Sequence, residues 1–231
     1  MHSRKRVAIL ISGRGSNMAS LIEAARAPDY PAEIALVVSN RPEALGLERA
    51  RAAGIEAVAI DHRGFATRMA FEARLHAQLL EAKIDLICSA GFMRMLTGSF
   101  VDRWKDRQLN IHPSLLPAFP GLDTHARALR EGVKLHGCTV HFVRLEMDTG
   151  PIVGQAAVPV LPDDTPDTLA ARVLEAEHVI YPHALRLVAS GAVRVENEEI
   201  VADDGVRHAA SLKAGRTLIW PPLCDLPPRV V

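Results

Sequence analysis

Short apolar runs alternate with longer amphipathic stretches through the first half of the chain, and this rhythm constrains the fold more than any other feature. The runs are apolar at consecutive positions, which is typical of strands buried on both faces. The stretches between them carry apolar residues at helical spacing. The predicted strands are 6–12, 33–39, 56–60 and 84–91, and the predicted helices are 16–27, 43–54 and 65–83. This alternation predicts an α/β fold with a doubly wound, mostly parallel sheet and helices on both of its faces.

The rhythm changes after Asn110. Residues 124–132 read as a short helix, and the apolar runs at 137–143 and 152–160 then follow with no helix between them. Two strands joined by such a short segment are typical of an antiparallel pair. We therefore expect the C-terminal half to add antiparallel strands to the sheet.

A long amphipathic stretch starts at Thr165 or Pro166 and closes near Gly191, and Pro182 within it predicts a kink or a break. A hairpin is expected around Asp204 and Gly205. The chain has no internal repeat and no low-complexity linker. One catalytic domain is therefore predicted over residues 1–191, followed by an extension at 192–231 to which the sequence assigns no role.

Composition excludes several classes of function. Lys plus Arg and Asp plus Glu number 27 each, and no extended basic run suggests a nucleic-acid partner. The apolar stretch at 7–11 is too short for a signal sequence or a membrane span. Cys88, Cys138 and Cys224 are far apart and form no CxxC pair. These features predict a cytoplasmic protein with reduced thiols and without membrane or nucleic-acid partners.

The string "SGRGSN" lies between the first predicted strand and the first predicted helix. Gly13 and Gly15 permit tight backbone turns, and the amides of Gly15, Ser16 and Asn17 would open the helix, where an anion is favoured. The string is neither an ATP-binding loop nor a complete dinucleotide fingerprint. A short glycine turn without a ligand and a site for a single phosphate, such as a ribose phosphate, both remain open.

Asn110 and His112 are two residues apart at the end of an apolar run, as on one face of a strand. They could mark a strand edge that meets water, or they could donate to an oxygen that gains charge during a reaction. Asp148 precedes a Thr-Gly-Pro turn that would present its carboxylate at a loop tip. A carboxylate near His112 would orient the ring and favour its charged form, but sequence alone does not bring the two together.

Other chemistries lack their motifs. The histidines show no HExxH string and no paired ligand spacing, so no metal site is predicted. No GxSxG elbow and no obvious cysteine nucleophile occurs. The pattern favours direct transfer between two bound substrates over a covalent enzyme intermediate.

Six segments in this order resemble the phosphoribosylglycinamide formyltransferase family, the folate-dependent enzymes of purine synthesis. They are "ILISGRGSN", "SNRPEALGLERARAAGI", "AGFMRML", "LNIHPSLLPAFPGLDTH", "GCTVHFV" and "MDTGPIVGQAAVPV". The resemblance extends from about residue 6 to about residue 191. It implies the formyltransferase fold and transfer of a formyl group from 10-formyltetrahydrofolate, as co-substrate, to the amine of glycinamide ribonucleotide. It implies no metal.

The resemblance also implies roles for single residues. Asn110, His112 and Asp148 would be catalytic and would meet in one site. The ribonucleotide would contact Gly15, Ser16, Asn17 and Glu177, chiefly in the N-terminal half. The folate would be bound by Arg68, Met93, Arg94, Met95, Leu96, Asn110, Arg144, Leu145, Glu146, Met147 and Asp148. A homodimer is one open possibility for the assembly.

Three rivals are weighed against this reading. A formyltetrahydrofolate hydrolase is expected to carry a regulatory domain before the first strand, and a methionyl-tRNA formyltransferase is expected to carry a basic C-terminal domain. The first strand begins near residue 6, and the tail of about 40 residues is not notably basic, so neither is favoured. A non-catalytic nucleotide-binding module on the same scaffold would keep the glycine turn without needing Asn110, His112 and Asp148 together.

Overall fold

A computed structural model describes residues 4–206, which form a central sheet with helices on both faces, followed by a small hairpin. The strands of the sheet are β1 (Lys5–Ile11), β2 (Ala32–Ser39), β3 (Glu56–Ala59), β4 (Leu86–Ser89), β5 (Gln108–His112), β6 (Leu135–Phe142) and β7 (Ile152–Pro159). The helices are α1 (Ser16–Ala25), α2 (Leu45–Ala52), α3 (Arg68–Glu81), α4 (Gly98–Arg103), α5 (Thr124–Glu131) and α6 (Pro166–Ser190). The hairpin consists of β8 (Val193–Glu196) and β9 (Glu199–Ala202).

The parallel part of the sheet confirms the expected doubly wound architecture. The seven strands lie in the order β3-β2-β1-β4-β5-β6-β7, and the first five in that order are mutually parallel. The side chains of Val7 to Ile11 in β1 are fully buried between two layers of helices. The chain order reverses between β1 and β4, and ligands of open α/β sheets bind beyond the carboxyl ends of the strands at such a point.

The antiparallel addition is also confirmed. Strand β6 is antiparallel to both β5 and β7. The register places Asn110 opposite His141 and His112 opposite Thr139. Because neighbouring residues of an antiparallel pair bring their side chains to the same face, the end of β5 gains partners from β6 that the parallel half does not supply.

Helix α6 starts as expected and runs without a break. Thr165 accepts a hydrogen bond from the Thr168 amide and forms a capping box with it, and Pro166 occupies the first turn, where its missing N–H costs nothing. The helix continues through Pro182 to Ser190. The sequence predicted a kink or a break at this proline, and the prediction of a break is wrong. The Pro182 carbonyl accepts a hydrogen bond from the Tyr30 hydroxyl at 2.7 Å, which ties this turn to the core.

The C-terminal hairpin lies earlier than expected. Its turn is formed by Asn197 and Glu198, whose φ angles of 51° and 63° suit the primed turns that join twisted strands. Asp204 and Gly205 follow β9, so the hairpin prediction there is wrong. Helix α4 was not predicted, because only six residues form it. The rest of the predicted extension, including Cys224, lies outside the described residues.

Among residues 4–206, none of the helices is both long enough and apolar enough to cross a membrane.

Candidate active site

His112 and Asp148 form a buried pair at the carboxyl end of β5. The His112 Nδ1 and Asp148 Oδ2 atoms are 3.4 Å apart, and the two side chains are 8% and 9% exposed. Asp148 has a left-handed φ of 58°, and its carboxylate accepts a hydrogen bond from the Gly121 amide at 2.9 Å. The sequence suggested that the turn presents this carboxylate at a loop tip. In the structure the turn directs it inward. The structure brings these two predicted catalytic residues together.

The other ring nitrogen of His112 also faces an oxygen. Its Nε2 atom lies 3.0 Å from the backbone carbonyl of Phe119. A ring with protons on both nitrogens would donate to Phe119 on one side and point at Asp148 on the other. At 3.4 Å the contact with Asp148 is longer than an ordinary N–H···O hydrogen bond of about 2.7–3.2 Å. A proton on Nδ1 would therefore be available to an oxygen bound in the site.

The loop after His112 is held by strands of the antiparallel addition. The Thr139 hydroxyl donates to the Ser114 carbonyl at 2.7 Å and accepts from the Leu116 amide at 3.0 Å. Gln155 donates to the Leu116 carbonyl at 2.8 Å. These bonds fix the segment that carries the Phe119 carbonyl, so the partner of His112 Nε2 is positioned in advance.

His141 completes the site, and sequence reasoning missed it. Its Nε2 atom is 3.2 Å from Asn110 Nδ2 and 3.8 Å from Asp148 Oδ1, while its Nδ1 lies 2.9 Å from the Phe142 carbonyl. Burial lowers the pKa of His141, although the hydrogen bond to the Phe142 carbonyl and the charge of Asp148 both raise it. A neutral ring that donates from Nδ1 to Phe142 accepts at Nε2 from the Asn110 amide, which fixes the orientation of that amide and leaves its second N–H for a substrate.

Two further histidines, His125 and His136, pack next to Phe119, whose carbonyl contacts His112. The rings of His125 and His136 make an edge contact with centroids 5.4 Å apart, and His136 makes a similar contact with Phe119 at 5.7 Å. Burial lowers the pKa of His136 to about 4, so this ring is neutral near pH 7. His125 has its pKa lowered as well, first by burial and then by the charge of His112. Both rings are therefore neutral near pH 7 and add no second positive charge near His112.

The glycine turn after β1 opens α1 as predicted. Gly15 precedes the helix in the left-handed conformation, with φ 70°, and an added Cβ there would lie 3.2 Å from the Gly46 Cα of α2. Only glycine suits both the conformation and the close packing. No side chain in the described part of the chain caps α1, so the amides of Ser16 and Asn17 have no capping partner at a helix N-terminus that favours anions.

Glu177 on α6 meets this helix N-terminus. The side-chain amide of Asn17 donates to the Glu177 carboxylate at 2.7 Å, and the two residues are 160 positions apart in sequence. Glu177 is buried, and burial raises its pKa while the Asn17 hydrogen bond lowers it. The structure thus joins two residues that the resemblance assigns to the ribonucleotide.

The residues predicted to face the folate include an exposed apolar group. Met93, Met95, Leu145 and Met147 are each more than half exposed, which is unusual for large apolar side chains. Leu96 packs against the core formed by α3 and the sheet. The Met93 amide donates to Ser12 Oγ at 2.8 Å, so the segment after β4 is attached to the segment after β1. Met147 and Asp148 also line an open cleft of about 270 Å³.

The predicted folate-facing arginines occupy different surroundings. Arg68 is exposed and begins α3. The Arg94 guanidinium lies over the Phe71 ring, 5.5 Å from its centroid. The Arg144 guanidinium is already paired with two carboxylates, since it donates to Asp106 and Glu198 at 2.6 Å each. Glu146 accepts a hydrogen bond from the Thr149 hydroxyl at its carbonyl.

Within residues 4–206, no group of three or more His, Cys, Asp or Glu side chains is arranged to hold a metal ion.

A half-buried amide, a buried imidazole and a buried carboxylate, together with a helix N-terminus that no side chain caps, are groups that a transfer enzyme uses to stabilise charge and move protons. All of them lie within residues 5–185, the region matched by the formyl transferase family. The chain belongs to this family.

Named relatives share most of the chain. The phosphoribosylglycinamide formyltransferase of Escherichia coli is 42% identical over 201 residues, which cover 87% of this chain and 94% of the relative. The trifunctional purine biosynthetic protein adenosine-3 of Drosophila melanogaster is 51% identical over 84% of this chain, but this chain spans only 15% of that relative. The crystal structure of phosphoribosylglycinamide formyltransferase from Brucella melitensis is 56% identical, with a TM-score of 0.79 over 82% of this chain and 97% of that one.

Proposed function

We propose that the chain transfers the formyl group of 10-formyltetrahydrofolate to the amine of glycinamide ribonucleotide, a step of purine synthesis. The observation that carries the proposal is the buried contact between His112 and Asp148, with Asn110 held by His141 beside them. The names of the relatives from E. coli and B. melitensis supply the substrate. The exposed apolar residues around Met93 and Leu145 suit the rings of a folate.

The reaction begins when the amine nitrogen of the ribonucleotide attacks the formyl carbon. A tetrahedral intermediate forms with a negative oxygen, which accepts hydrogen bonds from the free N–H of Asn110 and from Nδ1–H of a protonated His112. Each such donor is typically worth ~3 kcal/mol in the transition state. Because His141 and Phe119 already hold the two side chains, little reorganisation is needed when the charge appears.

Asp148 completes the proton balance. The attacking amine loses one proton to water near this carboxylate, and the folate nitrogen gains one as its bond to the formyl carbon breaks. The products are the formylated ribonucleotide and tetrahydrofolate. The negative charge of Asp148 is buried beside His112 and stabilises the positive charge that the ring carries during the step.

On the other side of the site, the amides of Ser16 and Asn17 would bind the phosphate of the ribonucleotide. Glu177 would contact the same substrate, and the hydrogen bond from Asn17 orients its carboxylate. The backbone and apolar side chains of residues 93–96 would line the folate pocket, and Arg68 and the loop 144–148 would also face the folate. A cytoplasmic location and a homodimer remain predictions.

A steady-state assay tests the proposal. Purified protein is given 10-formyltetrahydrofolate with and without glycinamide ribonucleotide, and the deformylated folate is followed. Turnover that requires the ribonucleotide is expected. Turnover without it would identify a hydrolase, and binding of both ligands without turnover would favour the non-catalytic module.

The His112→Ala variant assigns the chemistry to the site. It should bind the ribonucleotide nearly normally and lose turnover by about 10²–10⁴-fold, the usual contribution of a positioned proton carrier. Calorimetry on the variant measures the binding. Unchanged turnover would remove His112 from the mechanism.

A further inference from the structure

We propose that Glu198, at the tip of the β8–β9 hairpin, is a positioning residue for the folate-facing segment 144–148 and acts through Arg144. The inference rests on the proposed function, because it names the substrate that this segment would contact. It also assigns a role to the start of the C-terminal extension.

The side chain of Arg144 is held on two sides. Its Nε donates to Glu198 and its terminal nitrogen donates to Asp106, both at 2.6 Å, and the side chain is 15% exposed. A planar guanidinium that donates in two directions has a fixed orientation. Arg144 is the second residue after the end of β6, so this orientation also sets the direction in which the backbone leaves the strand.

Glu198 is presented by a well-anchored hairpin. Val193 is buried, and Val195 and Ile200 pack against the main core. The Asp203 amide donates to the Ala192 carbonyl at 2.9 Å, which closes the base of the hairpin. The left-handed turn then places Glu198 beside Arg144, which lies 54 residues earlier in the sequence.

A second cation reinforces Glu198. Lys105, in the turn before β5, lies 2.7 Å from the other carboxylate oxygen. Hydrogen bonds from Lys105 and Arg144 lower the pKa of Glu198, so the carboxylate is ionised at neutral pH. The cluster therefore links the hairpin, the turn before β5 and the start of the β6–β7 loop.

The β6–β7 loop has an anchor at each end. At the far end, the Asp148 carboxylate accepts from the Gly121 amide and faces His112. At the near end, the Arg144 cluster holds the chain, and the exposed side chains of Leu145 and Met147 lie between the two anchors. Loss of the near anchor would let this exposed segment sample orientations that do not bind folate.

The expected effect is selective for one substrate. If the competent orientation falls to about a tenth to a third of the population, the apparent affinity for folate falls about three- to tenfold. The ribonucleotide would bind at the N-terminus of α1, on elements that the cluster does not touch. Exposed ion pairs contribute little to global stability, so the melting temperature should stay within about 2 °C.

The test uses Glu198→Gln, with Glu196→Gln as the matched control. Glu196 is in the same hairpin and pairs with Arg194 at 2.7 Å, but it does not contact the loop. We measure KM for each substrate, kcat, and the equilibrium binding of tetrahydrofolate by calorimetry. Glu198→Gln should raise KM and Kd for folate about three- to tenfold and leave KM for the ribonucleotide unchanged, and Glu196→Gln should change neither.

A double variant adds a second criterion. In an Arg144→Gln background, Glu198→Gln should have no further effect on folate affinity, because the pair is already broken. Unchanged folate affinity in Glu198→Gln, an equal loss for both substrates, or the same loss in Glu196→Gln would overturn the inference. The calorimetric measurement does not depend on turnover, so absent ribonucleotide-dependent turnover would refute the proposed function separately.

Discussion

Replacing Asp148 by Asn tests whether the negative charge beside His112 is used in catalysis. The change keeps the size and shape of the side chain. An oxygen in the place of Oδ2 would still accept from the Gly121 amide, now at 2.9 Å. The new NH2 group would lie 3.8 Å from Nε2 of His141, whose lone pair already accepts from the Asn110 amide, so it gains no new hydrogen bond there. The substitution therefore removes the charge and keeps the shape of the side chain.

The magnitude follows from the contact with His112. The 3.4 Å contact is longer than an ordinary hydrogen bond, so the two groups interact chiefly through their charges, and interactions that involve charged groups contribute about 1.5–3 kcal/mol. Both side chains are less than a tenth exposed, so solvent screens the pair only weakly. At about 1.4 kcal/mol for each factor of ten, kcat should fall about 10- to 150-fold. Affinity for the ribonucleotide should be nearly unchanged, because its predicted contacts lie on α1 and α6.

The assay is steady-state turnover with both substrates varied, together with thermal unfolding of the same preparations. Asp163→Asn is the matched control, since Asp163 is an exposed aspartate in the turn before α6. We expect full activity for the control and a lower kcat at similar melting temperature for Asp148→Asn. A loss smaller than about threefold would refute the reasoning, because even the weakest charged interaction predicts more.

Three further predictions concern other parts of the structure. Gly150→Ala should destabilise the fold and reduce kcat, because an added Cβ would overlap the carbonyl oxygen of Phe142 at the end of β6. Gly154→Ala is the control and should be tolerated, because its Cβ would meet only the tip of the Ile180 side chain at 3.2 Å. Urea unfolding and turnover are measured for both variants. Burial raises the pKa of Glu177, so the free energy of unfolding of the wild-type protein should fall as pH rises from about 4.5 through that raised pKa. Glu177→Gln should remove this pH dependence in unfolding titrations. The same variant should raise KM for the ribonucleotide. A hydrogen bond from Arg172 lowers the pKa of Asp164, so the stabilising effect of this carboxylate should be fully present above pH 3.8 and decrease as pH falls below it. Asp164→Asn should cost about 1.5–3 kcal/mol at pH 7 by chemical denaturation, and the cost should be smaller at pH 2 than at pH 7.

Local patterns predicted the elements well because the α/β alternation and the capping signals are local. Thr165 and Pro166 mark the start of α6 in the sequence as clearly as in the structure. The hairpin was misplaced because Asp-Gly is a strong turn signal, while the Asn197–Glu198 turn depends on short strands that pack on the core. Asn110 and His112 could be chosen as candidates from their spacing alone.

Contacts between distant segments could not be predicted in this way. The role of His141 depends on the register of β5 against β6, which places it opposite Asn110 across 31 residues of sequence. The inward direction of Asp148 depends on its left-handed backbone and on the Gly121 amide. Each of these is decided by tertiary packing, for which a single sequence carries no local signal.

The two halves of the sheet divide the work of the proposed reaction. The parallel half supplies the helix N-terminus at Ser16, and α6 brings Glu177 to it. The antiparallel addition supplies His141 on β6, the Thr139 hydroxyl that holds the loop after His112, and the β6–β7 loop that carries Asp148. Substitutions around α1 should therefore change KM for the ribonucleotide, whereas substitutions around β6 and β7 should change kcat and folate affinity.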